Sequence, residues 1–206
     1  MKMLIRLFFL LTLSLFLHAN DVKSTVFVYN CTNNYHFVAE LKNDEAWLFL
    51  PSKTVQINKV ESSSDVVYLS KQISYLYEGS KSTLTVDKKV YNCSNDAIAA
   101  TFEKAKLSGV AFRAIGYEPG WILEMTSDKE VVFLTSLGTV KTAFTVVDKF
   151  SDGYSMEYKM KSMYNTLFVR IENRECKDTM VDRTYESMVY INFDGVNMQG
   201  CGKALY

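Results

Sequence analysis

The sequence contains very little histidine. Only His18 and His36 occur in 206 residues, and His18 lies in an N-terminal segment that we expect to be removed. A Ser-His-Asp or Cys-His mechanism would therefore have to use His36, which lies in the strand-like run Tyr35–Ala39. A zinc site built from several histidines is excluded by the same count. We accordingly expect a protein that is not an enzyme, with no catalytic residue, no metal and no cofactor.

The sequence also lacks an excess of positive charge and a C-x-x-C pair. It has 23 basic and 23 acidic residues, whereas binding to nucleic acid requires a basic face. No nucleic-acid partner is therefore expected. Free or metal-bound thiols are the alternative to disulfides for the four cysteines. The absence of a C-x-x-C pair argues against the metal-bound form.

No long apolar run is present. The run Leu7–Leu17 has 11 residues, whereas a helix that spans a bilayer needs about 20. Lys2 and Arg6 precede it and the small residue Ala19 follows, which is the pattern of a secretory signal peptide over residues 1–19. An uncleaved signal anchor is the alternative. Cleavage predicts a periplasmic or secreted protein with no membrane span, whose 21 basic and 23 acidic residues give a slightly negative charge.

The four cysteines divide the remaining chain into two blocks. Disulfides persist in exported proteins, and four cysteines allow three pairings. Sequence position favours Cys31–Cys93 and Cys176–Cys201, since each pair then lies near the two ends of one β-rich block. Each block is expected to be held by its own disulfide.

Both blocks show short runs in which apolar and polar residues alternate with period two, separated by turn formers. Seven such runs occur before residue 95 and six after residue 120, which favours antiparallel barrels or sandwiches. Between them, Ala97–Leu107 is rich in helix formers, with Ser94 or Asp96 able to cap it and Gly109 able to end it. We therefore predict an all-β protein with two small antiparallel β-barrel or sandwich domains, at 20–95 and 110–206, joined by a short helical linker at 96–109.

The first block resembles the MliC-type inhibitors of c-type lysozyme, which are small bacterial envelope barrels. The resemblance runs from about Val26 to Cys93. The residues that carry it are Tyr29-x-Cys31, Ala46-Trp47-Leu48-Phe49-Leu50-Pro51, Ser62-Ser63-Ser64-Asp65-Val66-Val67-Tyr68, Tyr75-x-x-x-Gly79 and Cys93.

The resemblance implies that two segments enter the lysozyme cleft, one carrying a serine and the other a lysine followed by glycine. Ser64 falls at the serine position, but Glu78 stands where the family has lysine, before Gly79. A retaining glycosidase presents two carboxyl groups, so a glutamate there reverses the sign of the interaction. Lys81 is a candidate for supplying the cation from a shifted position. The lysozyme-binding residues expected on this basis are Ser64, Asp65, Tyr68, Tyr75, Glu78, Gly79 and Lys81.

The second block resembles an uncharacterised family of bacterial envelope proteins over about Phe112 to Leu205. Because that family has no assigned activity, the resemblance implies no mechanism. Within it, Glu118 and Trp121 allow two interpretations: a carboxylate beside an aromatic platform for a sugar ring, or a Pro-Gly turn leading into a strand whose tryptophan packs inward. The matching residues are Arg113-x-x-Gly116-x-Glu118-Pro119-Gly120-Trp121, Cys176-Lys177-Asp178-x-Met180, Tyr185 and Gly200-Cys201-Gly202.

Three functions remain open from the sequence. The leading hypothesis is a periplasmic protein that binds a host c-type lysozyme as a form of defence evasion. The second is an envelope module that binds a small ligand or a cell-wall glycan in one of its barrels without inhibiting lysozyme. The third, a glycosidase using Glu118 with an aspartate, is disfavoured because no nucleophile motif is present.

Overall fold

The computed structural model describes residues 24–60, 65–126, 130–135 and 138–206. Its strands form two closed antiparallel barrels of eight strands each, with one α-helix between them. The predicted all-β class is confirmed, and both architectures are barrels. The predicted signal peptide lies outside the described residues. No helix in the described part of the chain is long and apolar enough to cross a membrane.

The first barrel follows the order of the chain, each strand pairing with the next and β8 closing against β1. A short 3-10 turn, Thr32–Asn34, joins β1 and β2. The strands are β1 Thr25–Cys31, β2 His36–Lys42, β3 Glu45–Leu50, β4 Lys53–Val60, β5 Val66–Leu69, β6 Ile73–Glu78, β7 Lys81–Val86 and β8 Lys89–Asn95.

The second barrel has the order β9-β10-β11-β12-β13-β14-β17-β18 and closes between β18 and β9. β15 and β16 form a separate two-stranded hairpin between β14 and β17. The strands are β9 Val110–Tyr117, β10 Gly120–Thr126, β11 Glu130–Thr135, β12 Val140–Ser151, β13 Ser155–Lys161, β14 Thr166–Glu172, β15 Cys176–Asp178, β16 Arg183–Tyr185, β17 Ser187–Phe193 and β18 Val196–Ala204.

The two predicted disulfides are confirmed. Cys31 and Cys93 are directly opposite each other on β1 and β8, so this bond joins the first and last strands at the seam where the barrel closes. Cys176 on β15 is bonded to Cys201 on β18 and fixes the β15–β16 hairpin against the outside of the second barrel. No free cysteine remains.

The helix α1 spans Ala97–Leu107, as predicted, and Asp96 is its N-cap. The Asp96 carboxylate accepts a hydrogen bond from the Ala99 N–H at 2.9 Å, which satisfies one of the free donors of the first turn. The Asp96 backbone N–H donates to the Val28 carbonyl of β1 at 2.7 Å, and the carboxylate also pairs with Arg183 of β16. One residue therefore links the helix to the first barrel and to the β15–β16 hairpin.

The buried face of α1 packs on the outside of the second barrel. Phe102 lies 5.5 Å, centroid to centroid, from the ring of Tyr185, and the Arg113 guanidinium lies 5.5 Å from the Phe102 ring centre. Arg113, itself buried, pairs with Glu124 on the neighbouring strand. The Glu124 carboxylate and the Phe102 ring offset part of the cost of burying this guanidinium, whereas the Arg113 Nε has no hydrogen-bond partner among the described residues.

The interior of the first barrel is rich in aromatic side chains. Tyr29 and Tyr75 are fully buried, and their hydroxyl groups lie 3.0 Å apart. Each hydroxyl thus gives the other the partner that burial requires. Because burial disfavours the phenolate, it raises the pKa of both tyrosines. The pair remains neutral at all physiological pH values.

Candidate functional site

Described residues of two segments implicated by the resemblance, Asp65–Val66 and Glu78–Lys81, lie at one end of the first barrel. β5 pairs with β6 in the register that places Val66 opposite Tyr77. Asp65, which precedes Val66, therefore adjoins the strand end that carries Glu78. We call this end of the barrel, formed by residues 42–45, 59–60, 65–66 and 78–81, the acidic rim.

A two-residue hairpin turn forms the projecting part of the acidic rim. Gly79 has a φ of 75° at the first central position, where a type II′ turn requires glycine. The Ser80 carbonyl accepts a hydrogen bond from the Asn95 N–H at 2.8 Å, which holds the turn against β8. Glu78 and Lys81 flank the turn as cross-strand partners, and both side chains are exposed.

The acidic rim thus brings together Asp65, Glu78, Gly79 and Lys81, four of the seven residues expected to bind lysozyme. Asp65 is exposed. Ser64, the expected hydroxyl donor, lies outside the described residues. Directly opposed side chains in an antiparallel pair have Cβ atoms about 5 Å apart, so Lys81 lies beside Glu78, which occupies the position where the resemblance expects a lysine.

Tyr68 and Tyr75 do not belong to this surface. Tyr75 is fully buried and Tyr68 is 3% exposed, and their rings stack 5.8 Å apart inside the barrel. The Tyr68 pKa is raised by burial and, to a lesser degree, by the charge of Asp44 and the neighbouring Tyr77. Their assignment as contact residues was wrong, because alternation identifies the two faces of a strand but does not tell which face points inward.

Sequence reasoning missed Asp44, which belongs to the acidic rim. It lies in the turn between β2 and β3, where the Lys59 N–H donates to its carbonyl at 2.7 Å and the Lys59 ammonium lies 4.0 Å from its carboxylate. The tight turn between two strands was visible in the sequence, but the pairing that brings it to the same end as residue 78 was not.

The two ends of the first barrel differ in charge. The acidic rim carries four carboxylates, Asp44, Glu45, Asp65 and Glu78, and three lysines, Lys42, Lys59 and Lys81. We call the opposite end, formed by residues 32–36, 50–53, 69–73 and 86–89, the basic rim. It carries Lys53, Lys71, Lys88 and Lys89 with one carboxylate, Asp87.

In the second barrel, Trp121 is not a platform for sugar. It is 2% exposed and lies inside the barrel, 6.0 Å from the ring centre of Phe133. Gly116 and Gly200 make room for it, since a Cβ built on Gly116 would lie 2.2 Å from the indole nitrogen and one on Gly200 would lie 2.6 Å from the indole ring. Glu118 is exposed on the turn before β10. The expected pair therefore does not form a joint site, and the inward-packing interpretation holds.

Within the described ranges, no group of three or more His, Cys, Asp or Glu side chains is arranged to hold a metal ion. The chain matches no family model, no curated protein and no solved structure. The candidate site is thus defined by the sequence motifs of the first block and by the position that the barrel gives them.

Proposed function

We propose that the first barrel binds a c-type lysozyme through the acidic rim and blocks its cleft, and that the protein acts in the envelope without catalysing a reaction. The observation that carries the proposal is the β5–β6 register. It puts Asp65 and the hairpin tip at Glu78–Lys81 at the same end of a disulfide-closed barrel, which supports the insertion of two neighbouring segments into one cleft.

Lys81 is the residue to which we assign the cationic contact. Its ammonium forms no ion pair with the described residues and is therefore free to face the two carboxyl groups of a retaining glycosidase. Charge-assisted hydrogen bonds of this kind are about twice as strong as neutral ones. Glu78 opposes the same contact, so the net interaction at the tip is weaker than that of a tip carrying lysine alone.

The remaining carboxylates of the acidic rim act at longer range. The acidic rim has four carboxylates against three lysines, and the basic rim has four lysines against one carboxylate. A cationic partner is therefore attracted weakly to the acidic rim and repelled by the basic rim, so the barrel approaches with the acidic rim forward. This attraction is screened at high ionic strength, whereas a desolvated contact made by Lys81 is screened much less.

The test is a wall-digestion assay with the oxidised full-length mature chain and a c-type lysozyme, together with titration calorimetry of the complex. We expect slowed digestion at micromolar protein and a one-to-one complex. Lys81→Ala should weaken binding about tenfold, which corresponds to about 1.4 kcal/mol.

The matched control is Lys89→Ala, which removes the same charge from the basic rim. It should leave lysozyme binding within twofold of the unmodified protein. Equal losses of lysozyme affinity for both variants would show that only overall charge matters. If the unmodified protein neither slows digestion nor gives binding heat, the proposed function is refuted.

A further inference from the structure

We propose that the second barrel holds a binding site for a single-chain amphiphile with an uncharged polar head. This inference concerns a different barrel from the lysozyme proposal and does not depend on it. The site is a cavity of about 520 Å³ at one open end of the barrel, a size within the usual range for small-molecule sites. We call it the mouth cavity.

The mouth cavity is formed by strand ends from most of the circumference of the second barrel. β9 begins there and β10 ends there, the β12–β13 turn borders it, and β14, β17 and β18 complete the wall. Eight-stranded barrels have interiors that are either filled by side chains or hold one small ligand. The opposite end is filled by Trp121, which leaves this end as the open one.

The floor of the mouth cavity is apolar. Phe112, Tyr158 and Ile171 are half-buried and pack against the barrel core, and Met125 and Met156 complete the lining. Methionine adapts its shape to irregular apolar partners. A flexible hydrocarbon chain is the ligand that such a floor fits best.

The edge of the mouth cavity is polar and almost uncharged. Its hydrogen-bonding side chains include Thr126, Ser151, Asn173 and Ser187, and the one carboxylate among the described lining residues is Glu186. No described lysine or arginine lines this cavity. A hydroxyl-bearing head is therefore favoured over a carboxylate, which Glu186 would repel.

A second cavity adjoins the same floor. Among the described residues, the part of β12 beyond Thr145 pairs with β13 alone. This part of β12 borders the second cavity, which has a volume of about 480 Å³ and shares Met125, Thr126 and Tyr158 with the mouth cavity. Its described charged lining residues, Asp148 and Lys149, are opposite in sign, so they do not favour an ionic head either.

The experiment uses the oxidised full chain and the neutral fluorescent probe N-phenyl-1-naphthylamine. We expect saturable binding of one probe per chain. Monolauroylglycerol should displace the probe at concentrations at least fivefold lower than laurate, with both kept below micelle formation. No saturable probe binding, or equal displacement by the two lipids, would overturn the assignment.

The variant Ile171→Trp places an indole over the floor and should weaken probe binding at least tenfold. Val140→Trp, an exposed substitution at the opposite end of the barrel, is the matched control and should bind within twofold. If Ile171→Trp does not fold by near-UV circular dichroism, Ala204→Trp, at an exposed lining position, replaces it with the same expectation. Probe binding that survives the blocking variant would place the site elsewhere.

Glu186→Gln tests the head-group assignment separately. Removing the carboxylate should improve displacement by laurate several-fold and leave displacement by monolauroylglycerol unchanged. If the preference between the two lipids is the same in this variant, Glu186 does not select the head group.

Discussion

At the scale of single residues, the two barrels accommodate large buried aromatic side chains in different ways. Tyr29 and Tyr75 fill the first barrel and pair their hydroxyl groups across it. Trp121 fills one end of the second barrel only because Gly116 and Gly200 carry no side chain. In both cases a large aromatic side chain can be buried because specific neighbouring residues match it, either in hydrogen bonding or in volume.

The tyrosine pair predicts a non-additive effect on stability. Tyr29→Phe removes the hydrogen-bond partner of the Tyr75 hydroxyl and leaves that group buried and unpaired, which should cost about 1–3 kcal/mol of unfolding free energy. The double variant Tyr29→Phe/Tyr75→Phe removes both polar groups and should be more stable than Tyr29→Phe alone. Urea denaturation measures both values. A double variant less stable than Tyr29→Phe would show that the Tyr75 hydroxyl stabilises the fold even without its Tyr29 partner.

At the hairpin tip, Glu78→Lys should strengthen binding to a c-type lysozyme about tenfold. In the proposed complex, the change would replace a charge that repels the carboxyl groups of the cleft with one that attracts them. Titration calorimetry measures the affinity. Glu175→Lys, an exposed change of the same charge in the second barrel, is the control and should have little effect. Weaker binding by Glu78→Lys alone would mean that the tip faces a different part of the enzyme.

At the scale of elements, the sequence predicted the regular strands and the helix better than the strands that close the barrels. The helix Ala97–Leu107 was located to the residue, because a run of helix formers lies between a capping residue and Gly109. β8 was missed, since Lys89–Asn95 has only three apolar side chains, counting cysteine. β18 contains Gly200 and Gly202, which lower strand propensity but are needed where Trp121 and Phe112 approach the backbone.

The start of helix α1 gives a prediction about pH. Burial raises the pKa of Asp96, but hydrogen bonds from Arg183 and the Ala99 N–H outweigh burial and lower it below its ordinary value of 3.8. A lowered pKa means that the carboxylate stabilises the fold above pH 3.8, and that this contribution is lost as the pH falls through the lower, folded-state pKa.

The variant Asp96→Asn isolates this contribution, because asparagine is as good an N-cap as aspartate but does not carry the charge that pairs with Arg183. The variant should melt at a lower temperature than the unmodified chain at pH 7, and the difference should shrink at pH 2. Thermal melting at both pH values tests this. A difference that stays constant with pH would assign the effect to the cap and not to the ion pair.

At the scale of the whole molecule, each barrel has its own interior and its own disulfide, and sequence position alone indicated both pairings. Composition could not show where in each barrel the charged and apolar side chains of the proposed sites come together. The acidic rim depends on strand register, and the mouth cavity depends on which strand ends meet beside Met125 and Ile171. Both are consequences of pairing between segments that are distant in the chain, so neither appears in the local pattern of residues.

The two disulfides should therefore stabilise different barrels. In the chain-entropy model, the Cys31–Cys93 bond, with a separation of 62 residues, contributes about 4 kcal/mol, and the Cys176–Cys201 bond, with a separation of 25, contributes about 3.5 kcal/mol. Replacing the first pair with serines should weaken lysozyme binding, whereas replacing the second should not. Urea denaturation and calorimetry of both double variants test this, and loss of lysozyme binding in the second would contradict it.

The Cys31–Cys93 bond also determines how the protein responds to mechanical force. When the chain is pulled from its two ends, tension passes directly from β1 to β8 through the sulfur atoms, and the 62-residue separation between them is bypassed. Fully extended, that segment would contribute roughly 200 Å of length. Under oxidising conditions this length stays unavailable to stretching, and adding a reductant during a pulling experiment should release it.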